Sequence, residues 1–308
     1  MKALKKYRWP LTGALLGVLV FLAVYGVRVL DPTSVDWILN SLSPDPIQHY
    51  LGWELFRRSP VHLPYIGANY NAVYPFRTSV LFTDSLPLAA LFFKLLGGIL
   101  PMRFQYFGWW GLLCYALQGG LAQAVIARIA GVQPTFGRDD KSKAAISMSP
   151  GQTAKLWGSV LGAGVLVLFP ALTIRMFAHT ALAANWLVLL ALYLWLRSDE
   201  LMPTTRRACL IWGGMGLLCA GIHLYYLPMV GLVLVGYAVR RALQKRGPAA
   251  VLAPIAAFCA AALAELVLLG AFAVNFAGYS NGYLSGADYF GLFVPWLAQS
   301  WEQNVYAG

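Results

Sequence analysis

Carboxylates and imidazoles are few in this chain, with 12 Asp and Glu and 4 His among 308 residues, and several fall in one short stretch. In "SPDPIQHYLGWELFRRSP" (Ser43 to Pro60), Asp45 and His49 are four residues apart, followed by Glu54, Arg57 and Arg58. On a helix Asp45 and His49 share a face with Gly52. A carboxylate and an imidazole on one face can hold a divalent metal or move a proton. The same residues also read as a helix start. Pro46 suits the first helical position, Asp45 the N-cap, and Gln48 completes a capping-box-like pair that stabilises by about 1 kcal/mol. The two roles are compatible.

Four other stretches carry chemistry-bearing groups. Asp84 in "FTDSLPL" reads as a cap ahead of a helix with Pro87 in its first turn. "LTIRMFAHTAL" puts Arg175 and His179 four apart where an apolar run ends, facing either a cavity or a partner, or else reading as a snorkelling Arg beside a hydrogen-bonded His. His223 in "GIHLYYLP" interrupts another apolar run, and beside tyrosines such a histidine is more often structural. Arg57 and Arg58 suit a phosphate or, more commonly, lipid headgroups. Glu265 lies inside an apolar segment, a position that raises a functional question by itself.

The elements that must position these groups are membrane helices. The chain is 59% hydrophobic and 11% charged, with mean hydropathy +0.62, where soluble domains carry about a quarter charged residues. The net charge of +11 fits basic cytoplasmic loops better than nucleic-acid binding. Residues 9–30 are long enough to span, with no small-residue cleavage site at their end, and read as a retained first helix. Further apolar runs lie near 84–100, 105–130, 155–174, 178–197, 208–239 and 249–274. Leu86–Leu100 is short and carries Lys94, and 208–239 is long and broken at His223. If the first lies at the interface and the second crosses twice, 16 of the 23 Lys and Arg share one side. The positive-inside rule therefore favours seven crossings with a cytoplasmic N-terminus. The histidines, Asp45 and Asp84 then face outward.

This predicts an all-α polytopic membrane protein forming a single transmembrane domain over 1–308. Residues 31–104 form a long outer loop with interfacial helices. Residues 275–308 form an outer segment rich in Gly, Tyr, Asn and Ser, and the chain reads as part of a longer protein. The four cysteines fall in apolar segments without metal-ligand spacing and read as packing residues. No P-loop, dinucleotide fingerprint, CxxC pair or HExxH is present.

The stretches "PDPIQHYLGWELFRRSP" and "TDSLPLAALFFKLLG" resemble the first outer loop of GT-C glycosyltransferases, which use polyprenyl-phosphate-linked sugars. Those enzymes carry an essential acidic residue early in that loop, and Asp45 matches it, with Asp84 matching a second acidic position. Together with "FQYFGWW", "LQG" and the Arg175–His179 spacing, the same stretches resemble an uncharacterised family of bacterial multi-pass proteins, known by a domain-of-unknown-function label, that is thought to be GT-C-like. The loop lacks the paired acidic motif of some GT-C enzymes, and members of the closer family generally run longer.

The resemblance implies a module of about seven transmembrane helices at the bacterial inner membrane, with its active face periplasmic. It implies sugar transfer from a polyprenyl-phosphate donor to an unidentified glycan, lipid or protein acceptor, with Asp45 and Asp84 catalytic. His49, Arg57, Arg58, Arg175, His179 and His223 would bind substrate, and a divalent metal, if used, would take Asp45, His49 and His179. Two readings compete with it. One is a transporter or lipid flippase using Glu265; the other is a non-catalytic envelope-assembly subunit.

Overall fold

The computed structural model describes residues 8–41, 44–72, 75–132 and 150–273. The expected outer C-terminal segment, 275–308, lies outside the described residues. Helices dominate, and those long enough to span a membrane are built on apolar runs. The described residues begin with α1 (Arg8–Tyr25), a short α2 (Asp36–Leu39) and α3 (Pro44–Arg58). An irregular stretch then carries two two-residue strands, β1 (Ala68–Asn69) and β2 (Thr78–Ser79), paired antiparallel with Ala68 opposite Ser79. It ends at α4 (Pro87–Leu95), and α5 (Phe107–Ile129) follows. Next come α6 (Pro150–Val167), α7 (Pro170–Ala178), α8 (Trp186–Leu196), the short α9 (Ser198–Leu201), α10 (Thr205–Ile222), α11 (Tyr226–Leu243) and α12 (Pro248–Leu268).

Among the described residues three helices, α5, α11 and α12, are long and apolar enough to cross a membrane. The pair α6 and α7, bent by 42°, makes a fourth if taken as one span. The apolar stretches Leu11–Tyr25 and Thr180–Leu196 are shorter. Large apolar side chains such as Leu15, Leu161, Leu232 and Leu252 are exposed on these helices, as lipid contact allows. The chain is therefore a membrane protein by its helices. At nine residues α4 is too short to span, and the run 208–239 breaks at His223 between α10 and α11.

Without a hydrophobic drive between helices in lipid, close packing depends on small residues. A Cβ at Gly17 of α1 would lie 2.0 Å from the Tyr115 carbonyl oxygen of α5, and one at Gly119 would lie 2.1 Å from that of Gly13. These two helices therefore approach at backbone distance.

The polar residues collect at two ends. At one, Arg128 pairs with Glu200 at 2.6 Å, and Asp199 takes Arg240 at 2.5 Å and Arg241 at 2.7 Å. These contacts tie the ends of α5 and α11 to the short helix α9. At the other, the stretch between α3 and α4 is bound to the end of α12: Ser79 Oγ donates to the Leu269 carbonyl at 2.6 Å, and Arg77 Nε to that of Ala273 at 2.6 Å. The histidine-bearing segments meet at this second end.

Candidate functional site

Helix α3 is placed by its apolar stripe. Pro46, Tyr50, Trp53 and Phe56 are buried at helical spacing, and Trp53 Nε1 donates to the Phe104 carbonyl at 3.0 Å. His49 lies on the same buried face, 3% exposed. The helix begins at Pro44, so the proline at its first position is Pro44, and Asp45 already lies inside it. The expected N-cap role of Asp45 is corrected accordingly. Asp45 instead stands with its Oδ2 3.8 Å from His179 Nε2.

Asp84 is no helix cap either. The N-cap of α4 is Leu86, and the segment ahead of the helix turns left-handed, with φ of 53° at Asp84 and 56° at Leu86. Such conformations cost on the order of 1 kcal/mol or more for residues with a side chain, and must be held by their surroundings. Here Tyr106 OH donates to the Ser85 carbonyl, Ser85 Oγ donates to the His49 carbonyl at 2.7 Å, and the Thr83 and Ser85 hydroxyls lie 2.8 Å apart. A Cβ on Gly52 would lie 2.5 Å from Thr83 Cβ, so the glycine lets this turn sit directly on α3.

The turn delivers the Asp84 carboxylate to the histidines. His49 Nε2 is 3.2 Å from Asp84 Oδ2, and His223 Nε2 is 3.8 Å from Oδ1. Ligand atoms of His49, Asp84 and His179 all lie within 4.8 Å of one another. On its other side His49 Nδ1 meets the buried Thr180 hydroxyl at 3.3 Å. Asp84 Oδ1 is buried without a hydrogen-bond partner among the described residues. Side-chain exposure rises from 4% at His49 through 15% at Asp84 and 22% at His223 to 38% at His179, so the group opens outward past His179 and Asp45.

Burial works to raise the Asp84 carboxyl, but the His49 hydrogen bond and the charges of His49, His223 and His179 outweigh it, holding Asp84 below the usual carboxylate range. Burial pushes the His223 imidazole down, helped by the charges of His179, His49 and Arg175 and opposed by Asp84. The backbone N–H of Tyr225 donates to His223 Nδ1 at 3.2 Å, which favours the same neutral ring with its proton on Nε2.

Arg175, in the last turn of α7, is close enough for its charge to act on His223, and its guanidinium makes no ion pair or hydrogen bond among the described residues. Arg57 and Arg58 lie two turns beyond His49 on α3 and are engaged by Glu54 at 3.1 and 2.9 Å, with Arg57 also donating to the Pro101 carbonyl at 3.0 Å. The structure thus gathers Asp45, His49, Asp84, His179 and His223, sets Arg175 beside them, and binds Arg57 and Arg58 elsewhere. Of the metal candidates, His49 and His179 fall in the close group with Asp84, and Asp45 adjoins it. Glu265 sits in the last turn of α12. Thr180, Ser85 and Tyr106 support the site without any signal in sequence, where isolated hydroxyls look like those of any loop.

An apolar cavity of about 400 Å³ adjoins this group, lined by residues that include Leu86, Phe92, Trp109, Trp110, Trp186 and Ile222. Three links join the two. Leu86 is two residues from Asp84, Ile222 precedes His223, and Trp110 Nε1 donates to the Thr180 carbonyl at 3.0 Å.

A family model described as a domain of unknown function, DUF6311, matches residues 14–306. The chain belongs to that family. No curated protein and no solved structure matches it. The expected membership of an uncharacterised family is met, while the likeness of this DUF6311 chain to GT-C enzymes rests on its sequence stretches alone.

Proposed function

We propose that this protein is a membrane glycosyltransferase that moves a sugar from a polyprenyl-phosphate donor to an acceptor hydroxyl at the outer face of a bacterial inner membrane. The observation that carries the reading is the polar group Asp45–His49–Asp84–His179–His223 standing against an apolar cavity, with Arg175 beside it. A lipid-linked substrate has that dual character: a chain that suits an apolar cavity and a phosphate that suits a guanidinium without a described counter-ion.

The two carboxylates divide the work. Asp84 is buried among imidazoles and positions the group, whereas Asp45 stands at the open rim beside His179. Asp45 accepts the proton of the acceptor hydroxyl as its oxygen attacks the anomeric carbon. The bond from that carbon to the phosphate oxygen breaks, and Arg175 stabilises the charge developing on the departing polyprenyl phosphate. The seven helical segments α1, α5, α6 with α7, α8, α10, α11 and α12 serve as the crossings, and α4 lies at the interface. Glu265 has no place in this scheme. In the last turn of α12 it is also poorly placed for a relay through the middle of the membrane, which weakens the transporter reading.

The test is transfer of labelled sugar from polyprenyl-phosphate donors by the full chain in nanodiscs. Asp45→Asn should abolish turnover while leaving donor binding intact. Turnover at the wild-type rate in that variant would overturn the assignment of Asp45.

A further inference from the structure

We infer that His49, Asp84 and His179 form a binding site for a single divalent transition-metal ion of the zinc class, with the fourth coordination position open toward the rim. The inference needs only the geometry of these side chains, and holds whether or not the protein transfers sugar.

Donor distances of about 2.0–2.2 Å around a tetrahedral ion place neighbouring donor atoms roughly 3.3–3.6 Å apart. The His49 Nε2 to Asp84 Oδ2 separation is 3.2 Å, and all three donors lie within 4.8 Å of one another, so closure onto an ion requires about 1 Å of side-chain movement. His179 can supply it, being the most exposed of the three. The buried Asp84 Oδ1, with no described hydrogen-bond partner, is a second observation pointing the same way, because an orphaned carboxylate oxygen calls for an ion or water.

The surroundings resemble the outer support of a metal site. His49 Nδ1 faces the Thr180 hydroxyl, which can donate or accept. Without metal, His49 carries its proton on Nε2 toward Asp84. On binding, the ring changes tautomer: the Nε2 proton leaves to solvent while Nδ1 takes one up from solvent, with no net proton released. Nδ1–H then donates to Thr180 and the Nε2 lone pair takes the ion. Thr180 therefore serves both tautomers, as partners of metal-binding imidazoles do. His223 takes a different part. Its Nδ1 accepts from the Tyr225 N–H, and its Nε2 stands 3.8 Å from Asp84 Oδ1, too far for a hydrogen bond, so it flanks the carboxylate without satisfying that oxygen. Two imidazoles with one carboxylate suit zinc and its first-row neighbours, whereas magnesium and calcium prefer oxygen-only sets. Three protein ligands leave the open position found in reactive zinc sites.

The experiment uses the purified full chain in detergent, stripped with chelator and titrated with Co²⁺, whose visible absorption reports coordination. One equivalent should bind, be displaced by Zn²⁺ and resist a large excess of Mg²⁺. His179→Ala removes an outward-facing ligand with little risk to folding and should weaken binding more than about tenfold. Thr180→Val should weaken it by about tenfold or more. His62→Ala, at a ring that packs on Tyr70, should bind as wild type does. Absence of stoichiometric Co²⁺ binding, unchanged affinity in His179→Ala, or displacement by Mg²⁺ as readily as by Zn²⁺ would each overturn the inference.

Discussion

Gly52→Ala is expected to damage both stability and the site, although alanine is the better helix former. In an open helix position the substitution gains about 0.5–1 kcal/mol. At Gly52 the new Cβ would lie 2.5 Å from Thr83 Cβ, 2.6 Å from Ser85 Oγ and 2.7 Å from Thr83 Oγ1. Ordinary contact begins at 3.4 Å, so the Thr83–Ser85 turn must retreat by about 0.9 Å. Overpacking of this kind costs about 1–3 kcal/mol. The same movement strains the Ser85-to-His49 and Thr83–Ser85 hydrogen bonds, worth about 1 kcal/mol each. The net expectation is a loss of about 2–4 kcal/mol. Asp84 lies in the moving turn, and a shift near 1 Å far exceeds the roughly 0.2 Å tolerance of metal–ligand distances. Thermal unfolding in detergent, followed by tryptophan fluorescence, should fall by several degrees, and Co²⁺ binding should weaken more than tenfold. Gly214→Ala, where a Cβ meets nothing within 4 Å, is the matched control and should melt at or above wild type. If Gly52→Ala melts with the control and binds Co²⁺ normally, the reasoning about this turn is wrong.

Two further outcomes follow from the α3 end of the molecule. Glu54→Gln leaves the Arg57 guanidinium, 10% exposed, without its counter-ion, and should cost about 1–2 kcal/mol, whereas Arg58→Ala, at a side chain 62% exposed, should change stability by less than about 0.5 kcal/mol; chemical denaturation of the two variants separates the cases. Burial pushes the Lys94 ammonium down to about 8, so the unfolded chain binds that proton more tightly than the folded one. The penalty for burying the charge is thus full below pH 8 and disappears as pH rises toward the ordinary lysine value, and wild type should gain on Lys94→Met in melting temperature across that window. A difference between the two that does not vary with pH would contradict this.

Much of this arrangement is legible in sequence because the chain is so apolar. In a chain of this composition Asp45, His49, Asp84, Arg175, His179 and His223 stand out by type alone, and runs broken at His223 and Pro87 mark their own helix ends. Long-range pairing is not legible. The i, i+4 spacing of Asp45 and His49 suggests a local pair, yet His49 turns to Asp84 and Asp45 to His179, since buried groups take the partners that tertiary packing supplies. Local rules also mislead at Asp84, where the sequence reads as a helix cap and the backbone turns left-handed to aim the carboxylate. Arg57 and Arg58 show the reverse case. Their i+3 and i+4 spacing from Glu54 already accounts for them, although their charge invites assignment to a phosphate.

The most direct test of the central claim is native mass spectrometry of the full chain gently extracted from its own membrane, comparing wild type with Arg175→Ala. A polyprenyl-phosphate species retained by wild type and lost from the variant is the predicted result. Bulk phospholipid alone in both samples would contradict a lipid-linked sugar donor.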